Sequence, residues 1–332
     1  MKLSELGERE IINRVMKAGG MNVPKDDCAF VPSGRNYLLF TTDQVSFDSN
    51  IPQGTNPELI GSFLASINLS DIAAMAGIPD NFLASLSVPT DYESSFIESL
   101  YAGMKGVLSK FNTQLIGGDT KEAGTFVASG FAVGHQLKNK TCFRSSARKG
   151  QVLGVTNRLG KSGSGYIFWT RKYRKATGIR MMLDVAPRIR EAQILSDLGV
   201  RFITDLSDGL FSSAWQMKED YGIGFKIVED EIPLDPSVDR ASKISGNSTT
   251  QIAAAFGGDY ELLFSIDNGS FSTFKRNVEG SGIDVSFIGE VWDGDNIIFN
   301  GESWRPILSR GYEHFRPIPL SGDTKDPGTD DK

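Results

Sequence analysis

Asp205 and Asp208 stand three residues apart in Thr204-Asp205-Leu206-Ser207-Asp208-Gly209-Leu210. Carboxylates with hydroxyl neighbours are hard oxygen donors of the kind magnesium takes, and magnesium in turn takes phosphate. A capping role alone would account for Asp208, so the argument for chemistry rests on repetition. Asp26-Asp27 lead into one apolar run, Thr41-Thr42-Asp43 close another, and Asn68 and Asp71 share a helix face with no basic partner in that helix. Gly117-Gly118-Asp119-Thr120 and Gly257-Gly258-Asp259 each couple paired glycines, which let a ligand approach the backbone, with an acid and a strand. So many acids cannot share one cleft in ionised form, because neighbouring carboxylates repel and raise each other's pKa. Several magnesium ions on a polyphosphate would relieve that repulsion.

The elements that must position these acids follow from apolar spacing. Residues 199–203 read as a strand that feeds a turn capped by Ser207 or Asp208, with Gly209 permitting tight entry to a helix carrying Leu210, Phe211, Ala214 and Met217. Asn56-Pro57-Glu58 opens the best-marked helix, running to Gly77. Leu6, Ile11, Ile12, Val15 and Met16 form the apolar face of a helix within residues 3–18. Strands are predicted over 37–43, 84–88, 114–116, 125–135, 151–156, 224–228, 284–289 and 296–299, and helices over 92–110 and 187–198. Gly160-Lys161-Ser162 imitates a phosphate-binding loop, but Val155 stands where that motif needs its first glycine.

At 332 residues the chain has room for two cores. A net charge of −6 gives nucleic acid no electrostatic footprint. The one basic run, Thr170 to Lys175, reads as a solvated helix face. Two cysteines, Cys28 and Cys142, are too few for a structural zinc site and suggest a reducing cytoplasm. With no apolar run of about 18 residues and no leader pattern, a membrane-embedded or secreted protein is not expected. His135 and His314, the only histidines, read as structural, which leaves chemistry to carboxylates, hydroxyls and metal ions.

Six motifs, Asp26-Asp27-Cys28-Ala29, Thr41-Thr42-Asp43, Asn68 to Met75, Gly117-Gly118-Asp119-Thr120, Asp205 to Leu210 and Gly311-Tyr312-Glu313-His314-Phe315, occur in a fixed order. In them the chain resembles the thiamine-monophosphate kinase family, within the superfamily of aminoimidazole ribonucleotide synthetase, selenophosphate synthetase and the hydrogenase-maturation dehydratase. The resemblance runs from about Gly7 to Phe315. It implies an α/β (α+β) architecture of two domains. Residues 1–148 would form an ATP- and magnesium-binding dimerisation domain whose sheet closes a barrel with that of a second subunit. Residues 149–318 would form a C-terminal α/β domain; the polar, Gly- and Pro-bearing stretch 319–332 reads by composition as a disordered tail. The resemblance further implies transfer of a phosphoryl group from ATP to thiamine monophosphate in a cytoplasmic homodimer, with no nucleic acid or membrane partner.

By the same resemblance Asp27, Thr41, Thr42, Asp43, Asp71, Asp119, Asp205 and Asp208 would hold several magnesium ions. Gly118, Arg144, Ser207 and Tyr101 would contact ATP, with Asp205, Asp208 and Arg144 at the reacting phosphate. Asn50, Asp259 and Tyr312 would face the thiamine substrate. The chain departs from the family at Lys25 (usually glycine), at Asn50 (often histidine) and at Gly257-Gly258-Asp259-Tyr260-Glu261-Leu262, one acid short. Rival readings are another ATP-dependent synthetase of the superfamily and a nucleotide-binding sensor without activity.

Overall fold

Two sheets divide the chain, and one helix joins them. The computed structural model describes residues 2–21, 23–309, 311 and 315; Tyr312, His314 and the 319–332 tail lie outside the described residues. The first sheet contains β1 (Ala29–Ser33), β2 (Asn36–Ser46), β3 (Ile78–Val88), β4 (Gln114–Glu122) and β5 (Val127–Leu137), in the order β1-β2-β5-β3-β4. All its pairs are antiparallel except β3 with β4. The second contains β6 (Val152–Thr156), β7 (Phe202–Asp205), β8 (Gly224–Val228), β9 (Leu262–Ile266), β10 (Val285–Trp292), β11 (Ile297–Phe299) and β12 (Trp304–Pro306), in the order β12-β11-β8-β10-β6-β9-β7.

Of the helices, α1 spans Glu8–Ala18, α2 Pro57–Ala74, α3 Ser94–Leu108, α4 Lys161–Thr170 and α5 Lys175–Leu183. They are followed by α6 (Ile189–Asp197), α7 (Leu210–Tyr221), α8 (Val238–Ser245) and α9 (Phe271–Glu279). The Asn56 side chain accepts from the Glu58 backbone N–H at 2.8 Å and Pro57 occupies the first turn, so α2 starts as its sequence demands. From Ile60 to Ala74 its buried residues face all directions, the mark of a helix enclosed by protein. It packs on β2, β5 and α3 on one side and on α5, α6 and β7 on the other. Contact with α3 depends on two glycines. A Cβ at Gly61 would lie 1.9 Å from the Leu100 carbonyl oxygen, and one at Gly103 the same distance from that of Glu58.

Several expectations need correction. The apolar stripe of α1 has no fully buried residue: Ile11 and Met16 are half-buried, Ile12 and Val15 are 48% and 55% exposed, and Arg9 pairs with Glu219 and Asp220. Helix α7 begins at Gly209 with no side-chain cap, so neither Ser207 nor Asp208 serves that role. Strand β4 does not stop at its glycines but runs to Glu122, because pairing with β3 sets Gly118 beside Ala84, where a Cβ would stand 1.8 Å from the Ala84 carbonyl oxygen. The basic run is the turn between α4 and α5, with Lys172 and Arg174 at positive φ. Lys25, where the family usually has glycine, pairs with Asp220 at 2.7 Å, and its carbonyl accepts from the Tyr221 hydroxyl.

Candidate active site

Three chain segments that meet around the end of α2 each bring an acid. Asp27 precedes β1, Asp71 lies in the last turn of α2, and Asp205 ends β7; one oxygen from each lies within 4.8 Å of the others. Hydroxyls fix the cluster. Ser70 donates to Asp205 at 2.6 Å, Thr204 to Asp27 at 3.0 Å, and Thr41 to Asp71. Arg144 grips Asp27 with two nitrogens, at 2.6 and 3.1 Å, while its backbone N–H donates to Asp26 at 2.6 Å. Asp43 follows Thr41 on the same face of β2, its backbone N–H donating to Asn68 at 3.0 Å. The Asn68 amide in turn donates to Leu64, so backbone groups satisfy this buried side chain and no ligand is needed.

The electrostatics are those of several buried acids sharing one cation, Arg144. Burial, then Asp43, Asp205 and Asp27, push Asp71 well above the carboxylate range, with the Thr41 hydrogen bond opposing. Burial and Asp27 raise Asp205 to about 7 against the Ser70 hydrogen bond and Arg144, and burial raises Asp26 to about 6. Burial would discharge Arg144, but Asp27, by charge and hydrogen bond, holds it firmly protonated. The Cys28 thiol beside them is pushed up by burial and then by Asp71. A buried donor set of carboxylates and hydroxyls, all hard oxygens, fits magnesium and would ionise fully only around such a cation.

Other expected residues stand elsewhere. Alternation turns Thr42 to the opposite face of β2, where its hydroxyl donates to the Gly130 carbonyl at 2.8 Å. The register Asp43–Gly130–Ala84–Gly118 puts Gly118 three strands from Asp43, on the order of 14 Å, and Asp119 on the face of Thr42. Asp119 is exposed there and pairs with Lys121 at 3.3 Å. The convergence expected for Thr42 and Asp119 therefore fails within this chain, since β5 and β3 intervene. Tyr101 packs on the core from α3. Asn50 closes its own loop, accepting from the Ser46 N–H at 3.0 Å and donating to the Gln44 carbonyl at 3.3 Å. The carbonyl of Ser207 accepts from the Gly258 N–H at 2.6 Å, and Gly311 packs against Ser212 and Asp208. Asp208 itself is half-buried, and its charge reaches Tyr260.

Comparison with known proteins gives these positions a context. Residues 25–136 match the family model "AIR synthase related protein, N-terminal domain". The thiamine-monophosphate kinase of Pyrococcus horikoshii is 28% identical over 318 residues, covering 95% of this chain and 98% of that protein. That of Aquifex aeolicus is 28% identical over 320 residues, covering 95% and 100%. A solved AaThiL complexed with AMPPCP and TMP superposes with a TM-score of 0.84 at 26% identity, over 95% of this chain and 99% of that one. Over nearly its whole length the chain is similar to thiamine-monophosphate kinases. The hydrogenase maturation protein HypE of E. coli, with a TM-score of 0.70 at 18% identity, shares the fold. The family model spans Asp27, Thr41, Thr42, Asp43, Asp71, Gly118 and Asp119 and stops before Arg144 and the aspartates of β7 and its turn.

Asp259, expected on the substrate side, is engaged by backbone within the chain. Asp259 accepts the backbone N–H groups of Gly160 at 2.6 Å and Ser162 at 2.9 Å, so the end of α4 that imitates a phosphate loop holds a carboxylate. Burial raises Asp259 to about 7 in spite of those bonds. Sequence reasoning missed Ser70, Thr204, Tyr260 and the pair Arg188–Glu261, joined at 2.5 and 2.8 Å. Ser70 and Thr204 carried a signal, each being the hydroxyl neighbour of a site aspartate. Tyr260 carried none, flanked as it is by more conspicuous acids. Its ring stands edge-on to Phe63 at 6.0 Å, and burial, then Asp43, Asp205, Asp208 and Asp71, keep its hydroxyl protonated far above the usual range.

Proposed function

We propose that the chain transfers the γ-phosphoryl group of ATP to the phosphate of thiamine monophosphate, giving thiamine diphosphate, as the names of the relatives it resembles suggest. The observation that carries the reading is the buried meeting of Asp27, Asp71 and Asp205, gripped by Arg144, in a chain aligned over nearly its whole length with thiamine-monophosphate kinases. Asp27, Asp71 and Asp205, with Thr41, Asp43 and Asp208 beside them, would hold magnesium. When bound, magnesium supplies charge neutralisation and in-line placement for two polyanions. The residues' own tasks are to orient and to exclude water. Ser70, Thr204 and Thr41 hold the carboxylates, and Arg144 supplies a fixed positive charge for phosphate oxygens.

The acceptor needs no strong general base, because a phosphate monoester with a second pKa of about 6 is already mostly ionised at neutral pH. That fits a site without histidine among its described residues. Transfer is therefore direct, and no phospho-aspartate accumulates. Ser207, Gly118 and Tyr101 toward ATP, and Asn50 and Tyr312 toward thiamine, remain part of the proposal. Asp259 would act on the substrate wall through α4.

Thr42 and Asp119 share the open face of the first sheet, and we assign them to a site completed in a homodimer. Two buried free cysteines suit a cytoplasmic enzyme, and no helix among the described residues is long and apolar enough to cross a membrane. The test is incubation with ATP, magnesium and thiamine monophosphate, read as thiamine diphosphate formed. ATP turnover only with some other acceptor would move the chain to another synthetase reaction of the superfamily. Nucleotide binding without turnover on any acceptor would make it a sensor.

A further inference from the structure

The backbone at Arg144 is fastened from both sides. Phe143 donates its N–H to the Arg201 carbonyl at 2.9 Å and packs its ring on Phe30, with centroids 5.0 Å apart, while Asp26 takes the Arg144 N–H. From there the side chain passes the edge strand β7 and meets α7. A guanidinium carries five N–H groups in one plane and no acceptor. The Nε–H is shared between Asp27 and the Thr204 hydroxyl, each at 3.1 Å; one Nη2–H goes to Asp27 at 2.6 Å, and one Nη1–H to the Gln216 amide oxygen at 3.3 Å. Thr204 gives its own proton to Asp27 at 3.0 Å, so a lone pair is what it offers Arg144. Among the described residues the second N–H of each terminal nitrogen has no acceptor. The space between Arg144, Thr204, Gln216 and Met217 has no room for a water molecule, yet 18% of the Arg144 side chain is exposed, so one edge of the guanidinium stays open.

We propose that Thr204 and Gln216 are positioning residues of Arg144, fixing the plane of its guanidinium so that the remaining N–H of each terminal nitrogen meets an oxygen of the nucleotide's γ-phosphate. The inference rests on the kinase reading. A two-point contact with phosphate depends on the orientation of the plane as well as on the charge. Asp27 grips one side of that plane; Thr204 from β7 and Gln216 from α7 tie its two ends to separate elements. Neither side chain is explained by packing alone. Valine has the shape of Thr204 and would suit a strand in which Phe202 and Ile203 are buried. Gln216 is only half-buried, so water could satisfy its amide without Arg144.

Gln216→Met keeps the length of the side chain and removes the acceptor. In the full chain, AMPPCP affinity is read by calorimetry in magnesium and manganese affinity without nucleotide by electron paramagnetic resonance, neither of which needs turnover. AMPPCP affinity should fall about three- to tenfold, the net scale of one hydrogen bond. Manganese affinity should stay at the wild-type value, because among the described residues Gln216 bonds Arg144 and no carboxylate. Thr204→Val should weaken AMPPCP at least as much, and Thr204→Ser, which returns the hydroxyl without the methyl, should restore it; a packing role would reverse the order of these two. In an Arg144→Lys background, whose amine has no plane to aim, adding Gln216→Met should change AMPPCP affinity by less than about twofold. The full loss in that background, or wild-type affinity in Gln216→Met itself, would overturn the proposal, as would a wild type that binds no AMPPCP. Should the wild type bind AMPPCP and form no thiamine diphosphate, the kinase reading falls while the binding comparisons still judge Thr204 and Gln216. If Gln216→Met fails to fold, a structure of the wild type with magnesium and AMPPCP decides. Arg144 on the γ-phosphate with its Thr204 and Gln216 contacts kept upholds the proposal, and a guanidinium that has left them overturns it.

Discussion

At the scale of single residues, the site is a balance between buried charge and the partners that make it tolerable. Asp71 is the most penalised acid, raised by burial and by three other aspartates. Asp71→Asn should lower kcat at least about a hundredfold, since even outer partners of metal ligands are worth 10–100-fold. Removing a repelled charge should leave the metal-free unfolding temperature equal or higher. Near-normal turnover would take Asp71 out of the metal site. Protonation makes a second test. Asp205 and Asp259 sit near 7 in the folded chain, against about 4 unfolded. The folded state therefore holds protons that the unfolded state has released, so their contribution is complete below about pH 4 and is lost as pH rises to about 7. Metal-free protein should melt lower at pH 8 than at pH 5, and Asp259→Asn, which can still cap α4, should show a shallower decline. Equal slopes in the two proteins would remove Asp259 as a cause. Most of the acid cluster was legible because carboxylates at strand and helix ends keep their neighbours. The role of Asp259 was not, because its partners, the N–H groups of α4, lie about a hundred positions earlier in the chain and belong to a sequence that imitates a phosphate loop.

At the scale of elements, α2 connects sequence to site. Its start was written in Asn56 and Pro57, and its central position in the small and apolar residues between Leu59 and Ala74, among which Asp71 is the one charge. The error at α1 has the opposite cause: an apolar stripe states what a helix could bury, not what arrives to cover it. The extension of β4 depends on β3 as a pairing partner, which local sequence does not name. The crossing of α2 and α3 makes its own prediction. At Gly61 and Gly103 backbone meets backbone, so an added methyl cannot be absorbed by a side-chain rotation. Gly61→Ala and Gly103→Ala should each cost about 1–3 kcal/mol in chemical denaturation. The loss at Gly61 should be accompanied by weaker nucleotide binding, because the same helix carries Ser70 and Asp71. A neutral result at both positions would mean that the helices part more easily than this contact allows.

At the scale of the whole molecule, the first sheet is covered by α2 and α3 on one face, while the other face carries apolar side chains into solvent. Val31 is 52% exposed, Ile78 41%, Leu137 40% and Phe131 37%, with Phe40 stacked beside Phe131 at 6.3 Å. An antiparallel sheet with one solvated face ordinarily alternates polar residues outward, so an apolar pattern on both faces argues for a second layer. The same face holds Thr42 and Asp119, which do not reach the acid cluster of their own chain. We therefore predict a homodimer closed through this face, and Phe131→Glu is its sharpest probe. A carboxylate left unpaired in such an interface costs on the order of 3 kcal/mol or more, which weakens self-association at least about hundredfold. Analytical ultracentrifugation should show wild type as a dimer and Phe131→Glu as a monomer with an unchanged circular dichroism spectrum. Turnover should fall in the monomer if Thr42 and Asp119 serve a site completed by the partner. Full activity in a monomeric Phe131→Glu would separate the sheet face from catalysis and leave both residues without a role in it. A monomeric wild type at micromolar concentration would refute the dimer itself.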